Sequence, residues 1–240
     1  MLGRTLVPRA GWMARAGATA RAVAMAMASL LLLVVPVAAQ DGSEPAPFSD
    51  RSQWRTGKAR QGKVAYEKGR LRFTMRMAGG SLWTWRTFAS GVTVLRAEGM
   101  VEDSSGNGDA GFLCGAPGRD KAFYYAGLSS GAEIVIGSGT DSVLTEIARV
   151  PLPAGVTPSR AHRLAVECAV TGTGTDRLAV WVDGVPALDH STTASLGILD
   201  RAALYATAQG RRFNVMFDDV TLSAGSEYRP SGESPPPAPA

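Results

Sequence analysis

The sequence predicts an all-β fold, a sandwich or barrel of short antiparallel strands. Three observations predict it. Strand-length runs with period-two alternation recur at roughly ten-residue spacing, as sandwiches and barrels require. Clusters of Gly, Ser, Asn and Asp separate the runs, notably 104–109 and 172–176. No segment sustains a helical period.

Taken in order, the first clear pair is Val64–Glu67 and Arg70–Met77 about a Lys68-Gly69 turn. Its second arm places Leu71, Phe73, Met75 and Met77 on one face and Arg70, Arg72, Thr74 and Arg76 on the other. That is the pattern of a half-buried antiparallel strand. Further strands are expected at 81–88, 92–101, 109–115, 123–128, 132–137 and 144–150. Others are expected at 162–171, 177–182, 185–190, 204–208 and 215–222. Asp183-Gly184, set between Val182 and Val185, signals a two-residue hairpin because both positions tolerate positive φ.

The two cysteines, Cys114 and Cys168, read as one disulfide. Cys114 shares a strand face with Phe112, and Cys168 shares one with Leu164, Val166 and Val170, so both sulfurs point inward. Closing the loop between them would stabilise the fold by up to ~4 kcal/mol.

Oxidation of that pair agrees with the N-terminus. Arg4, Arg9, Arg15 and Arg21 precede an apolar run, Ala22–Val37, that ends in Val37-Ala38-Ala39. This is the pattern of a cleaved export signal over residues 1–39, with retention as an anchor the alternative. The full chain holds 25 Lys+Arg and 21 Asp+Glu, so losing four arginines leaves a neutral mature protein. Neutrality argues against nucleic acid as a partner, which needs clustered cations. A polar lead at 40–47, one domain at 48–224 and a Pro-rich tail at 225–240 complete the expected organisation. The Ala-, Gly- and Arg-rich composition with an export signal points to a bacterial protein placed outside the cytoplasm, in the periplasm, on the cell surface or beyond it.

Four motifs then carry a resemblance. They are Phe48-Ser49-Asp50 with Trp54, Tyr66-Glu67-Lys68-Gly69-Arg70-Leu71, Arg163–Cys168 leading to Leu178–Gly184, and Phe217–Leu222. Their order resembles the concanavalin A-like lectin/glucanase superfamily, and within it the laminin G-like and 3-keto-disaccharide-hydrolase-like domains of secreted bacterial proteins. The resemblance implies a two-sheet antiparallel jelly roll whose last strand lies beside the first. It does not give a function, because the superfamily holds lectins, glycan-binding modules, glycosidases and interaction domains. Related catalytic members carry Glu-x-Asp-x-x-Glu on one strand. Here Glu133 and Glu146 each stand without a partner two or five positions along, so no catalytic residue is assigned.

The candidate ligand-binding residues are Trp83, Trp85, Trp181, Tyr124 and Tyr125. Trp83 and Trp85 project from one strand face, to stack on sugar rings or to fill the core. Trp181 points away from Leu178, Val180 and Val182, as a ligand platform or as a residue covered by neighbouring structure. Gly127-Leu128-Ser129-Ser130-Gly131 matches a nucleophile motif, but no helix follows, and it reads as a hairpin turn. Arg70, Arg72 and Arg76 read as a solvated face. His162 and His190 have no visible partners and take strand-end or surface roles. No metal ligand set is assigned. The one cofactor considered is a structural calcium, near Asp103, Asn107 and Asp109 or near Asp50, Asp218 and Asp219. The leading expectation is therefore non-catalytic binding of a glycan or cell-surface component. The alternatives are a carbohydrate-active hydrolase and a purely structural cell-envelope domain.

Overall fold

A computed structural model describes residues 43–45, 53–115, 122–130, 132–140, 143–171, 174–193 and 195–225. The export signal, Phe48-Ser49-Asp50 and the Pro-rich tail lie outside these residues. Among the described residues thirteen strands follow one another: β1 (Ser43–Pro45), β2 (Gly57–Lys58), β3 (Gly62–Glu67), β4 (Arg70–Met75), β5 (Ser81–Val92), β6 (Val94–Gly115) and β7 (Phe123–Ser129). Then come β8 (Glu133–Thr140), β9 (Val143–Pro151), β10 (Ala161–Val170), β11 (Asp176–Val182), β12 (Val185–Thr192) and β13 (Leu199–Gly225). Every pairing is antiparallel. No helix occurs among the described residues.

Two long strands, β6 and β13, organise everything else. The first half of β6 pairs with β10 and with the last part of β13, inside the order β12-β11-β10-β6-β13-β4-β3-β2. The second half of β6 pairs with β7 and with the first part of β13, which gives a shorter layer β9-β8-β7-β6-β13-β5. One curled sheet thus folds over itself into two layers. Leu71 and Phe73 of β4, Phe112 of β6, Ile136 of β8 and Val180 of β11 share one buried cluster between them. The Cys114–Cys168 disulfide crosses that interior, from the shorter layer to the longer.

Local rules explain most of these elements. Leu71, Phe73 and Met75 are buried while the residues between them are not, as the alternation requires. Lys68-Gly69 and Asp183-Gly184 both have positive φ at each position, which matches the right-handed twist of the flanking strands. His162 supports the second turn. The Ser159 N–H donates to its Nε2, so Nδ1 carries the proton and donates to Asp183 Oδ2 at 2.7 Å. Asp183 Oδ1 accepts from the Arg163 N–H at 2.8 Å. The histidine therefore has the partner that its sequence context hides.

Three expectations change. The Gly- and Ser-rich segment at 104–109 does not separate two strands but continues β6, because it is laddered to β13 on one side. Likewise the expected strands at 204–208 and 215–222 are parts of one strand whose register shifts at Ala208/Phe213. Gly127, Leu128 and Ser129 end β7, so the expected hairpin turn to β8 starts later, at Ser130, with the Ala132 N–H donating to the Ser129 carbonyl. The short β1, inside the polar lead, pairs with β13 through Ser43↔Ser223 and Pro45↔Thr221.

Candidate functional site

The two layers share an interior, so each has an outer face as well. On the shorter layer that face is built from Asp109, Leu113, Phe123, Tyr125, Val135, Ala203 and Tyr205, with Trp83 and Trp85 on the edge strand β5. Leu113, Phe123, Tyr125, Val135, Ala203 and Tyr205 form a second buried cluster, distinct from the sandwich core, and Trp83, Trp85 and Leu144 pack against it half-buried.

Glycines make room for it. A Cβ on Gly127 would stand 2.3 Å from the Tyr205 Oη, and one on Gly137 would stand 2.3 Å from the Tyr125 ring. Each side chain therefore reaches over a glycine of the neighbouring strands, and the two rings meet edge to face, with centroids 5.4 Å apart and an interplanar angle of 68°. Trp83 and Trp85 each meet Phe123, at 6.1 and 5.8 Å. The Arg201 guanidinium sits 5.8 Å from the Trp85 ring and is itself held by Asp200.

Hollows flank these tryptophans. One, of about 490 Å³, lies between β5 and the Arg55–Ala59 segment and is lined by Trp83, Trp85, Thr87, Lys58 and Arg201. Another, of about 580 Å³, is lined by Trp83, Gly79, Gly80, Ser81, Leu144 and Thr207. Trp83 borders both.

A polar cluster occupies the other end of the face. Arg149 of β9 bonds Glu146 at 2.9 Å, Asp109 at 3.3 Å and Glu133 at 3.3 Å, and Gln209 donates to Asp109. Glu133 and Glu146, which lack a second carboxylate along their strands, meet on one arginine, Glu133 across strands from β8 and Glu146 from within β9. Two phenols lie close by. Burial, with help from Glu146 and Asp109, pushes Tyr125 up to about 12. Burial raises Tyr205 well above its ordinary value too, and its hydroxyl has no hydrogen-bond partner among the described residues. Both stay neutral at any physiological pH.

This face gathers Trp83, Trp85 and Tyr125, but it does not include the other two predicted residues. Tyr124, adjacent to Tyr125 in sequence, points into the sandwich interior, where its hydroxyl bonds Thr192 and burial raises its pKa. Trp181 lies on the outer face of the longer layer at 1% exposure, beneath the Arg96 guanidinium, 4.7 Å from its ring centroid. Of the two readings of Trp181, burial agrees with the covered residue: no ring face is open to a ligand.

The calcium candidates diverge as well. Asp109 is engaged by Arg149, the Asn107 amide oxygen accepts from Ser130, and Asp103 lines a separate hollow of about 180 Å³ at the Arg160–His162 end of the sandwich, where burial raises its carboxyl. No group of three metal-ligating side chains occurs among the described residues. The residues that sequence reasoning missed are Tyr205, Arg149 and Gln209. The only sequence signal was for Tyr205: Gly111, which faces it on β6, and Gly127, which faces Gly111 on β7, leave room for a large side chain.

No family model matches the chain, and no curated protein does at the sequence level. Solved structures do match. An alginate lyase superposes with a TM-score of 0.50 at 12% identity, over 80% of this chain and 95% of that one. A sialidase matches at 0.49 and 10% identity over 77% of this chain but only 18% of its own length. A carbohydrate-binding module from Bacillus subtilis matches at 0.48 and 14% identity, over 72% and 96%. The likeness is one of fold. The protein is an antiparallel jelly-roll β-sandwich.

Proposed function

We propose that this protein is an exported, non-catalytic glycan-binding module of the concanavalin A-like kind, and that its ligand lies against Trp83 and Trp85. In this reading residues 1–39 direct export, the disulfide belongs to an oxidising compartment and the Pro-rich tail is a spacer. The observation that carries it is the pair of half-buried indoles on one edge strand, with Trp83 bordering two open hollows. Sugar sites combine an apolar ring surface for stacking with a few polar groups that fix hydroxyls. Thr87, Lys58, Arg201 and Ser81 supply the polar groups here.

A glycan array on the purified protein, with and without calcium, tests this. The expected result is binding to a restricted set of glycans, lost in Trp83→Ala and Trp85→Ala proteins that remain folded. An array with no binder overturns it. The hydrolase reading draws on the convergence of Asp109, Glu133 and Glu146 on Arg149. Release of new reducing ends from a bound glycan, abolished by Glu146→Gln, would favour it.

A further inference from the structure

Several arginines of the described residues, Arg149 and Arg201 among them, are tied to carboxylates. Arg70 holds Glu102, Arg72 holds Glu67, Arg96 holds Glu98, Arg163 holds Glu98 and Arg177 holds Asp189. Arg76, Arg211 and Arg212 have no such partner among the described residues, and all three are exposed. They meet in one place. Together with Thr74, Met75 and Asn214 they line an open hollow of about 580 Å³.

The fold explains how they come together. The β13 ladder to β6 lapses between Ala208, which faces Gly108, and Phe213, which faces Gly106. Residues 209–212 of β13 therefore stand against Asn107 alone on β6, and Arg211 and Arg212 lie in that excess. Across the next pairing, Asn214 faces Thr74 of β4, which leads directly to Arg76. An irregularity in one strand thus sets two cations beside the end of another.

Three like charges in one hollow repel one another unless an anion joins them. Guanidinium groups match the planar fork of a carboxylate and the oxygens of a sulfate. The Asn214 amide and Thr74 hydroxyl suit sugar hydroxyls. The chain continues from Arg76 into Met77–Ser81, which lines the next hollow along with Trp83. We infer that the Arg76–Arg211–Arg212 hollow binds an anionic polysaccharide, one whose sugars carry carboxylate or sulfate groups. This deepens the glycan-binding reading and rests on it.

The test measures binding of the purified protein to polygalacturonate, dextran sulfate, neutral dextran and duplex DNA. Either or both charged polysaccharides are expected to bind, and which of them does distinguishes carboxylate from sulfate recognition. Their affinity is expected to fall by about tenfold or more between about 0.05 M and about 0.5 M NaCl, because exposed charges are screened. An Arg76→Gln/Arg211→Gln/Arg212→Gln protein is expected to lose about tenfold or more in affinity at low salt with an unchanged melting temperature, since exposed, unpaired side chains carry little of the fold. Unaltered binding by that triple variant overturns the inference, as does DNA binding of equal strength. Binding of neutral glycans that Trp83→Ala abolishes, with no binding of either charged polymer, overturns it while leaving the glycan-binding reading in place.

Discussion

The outer faces of the two layers begin from the same alternating pattern and end differently. On the longer layer, Arg96, Glu98, Arg163 and Glu167 interlock above Trp181, and the Arg96 side chain is 8% exposed. On the shorter layer the charges gather at one end around Arg149, glycines make room for aromatic side chains over the rest, and the edge tryptophans remain half open. A tryptophan's chemistry is thus decided by its neighbours. A guanidinium and two carboxylates seal one indole, whereas an edge strand and a hollow leave the others accessible.

That contrast breaks most strongly at Arg96. Arg96→Ala is expected to destabilise the protein by about 3–5 kcal/mol, because Glu167 would stay buried without that cation and Glu98 would keep only Arg163. Urea denaturation measures it, and a loss within ~0.5 kcal/mol, typical of an ordinary surface site, would refute the sealing role. Gly127→Ala comes next. Its new methyl would meet the Tyr205 Oη and the Ala110 carbonyl, and over-packing of this kind costs about 1–3 kcal/mol. The double variant Gly127→Ala/Tyr205→Phe should recover part of that loss by removing the hydroxyl.

A smaller effect of opposite sign is expected of Tyr205→Phe alone. The hydroxyl is buried without a partner, so its removal should leave stability unchanged or raise it by about 1 kcal/mol. The two phenols also set a pH dependence. Their folded pKa values are raised, so the unfolded chain releases its protons first. Stability from this source is complete below about pH 10 and falls as pH rises through about 12, where Tyr125 titrates in the fold. Denaturation midpoints across this range should fall more steeply for the natural protein than for Tyr125→Phe/Tyr205→Phe.

Much of the sandwich was legible because its causes are local. Leu71, Phe73 and Met75 alternate, Lys68-Gly69 and Asp183-Gly184 dictate hairpins, and the inward faces of Cys114 and Cys168 anticipate their bond. The long strands were hidden, since only pairing with β13 draws the glycine-rich 104–109 into β6. The candidate site was legible only in part. The shared face of Trp83 and Trp85 follows from their spacing, but nothing local separates Tyr125 from Tyr124 or says that Arg96 will cover Trp181. Nor does spacing along one strand reveal that Asp109, Glu133 and Glu146 converge on Arg149, because that cluster joins residues from three strands.

The most direct measurement is titration of the purified protein with a glycan from the array hit set, following the change in tryptophan fluorescence, for the natural protein, Trp83→Phe and Trp181→Phe. Trp83→Phe is expected to remove the fluorescence response and weaken affinity by about tenfold, roughly the 1–3 kcal/mol of a lost stacking surface. Trp181→Phe should keep both. An unchanged response in Trp83→Phe, with loss in a folded Trp181→Phe protein, would put the ligand on the opposite layer and contradict it.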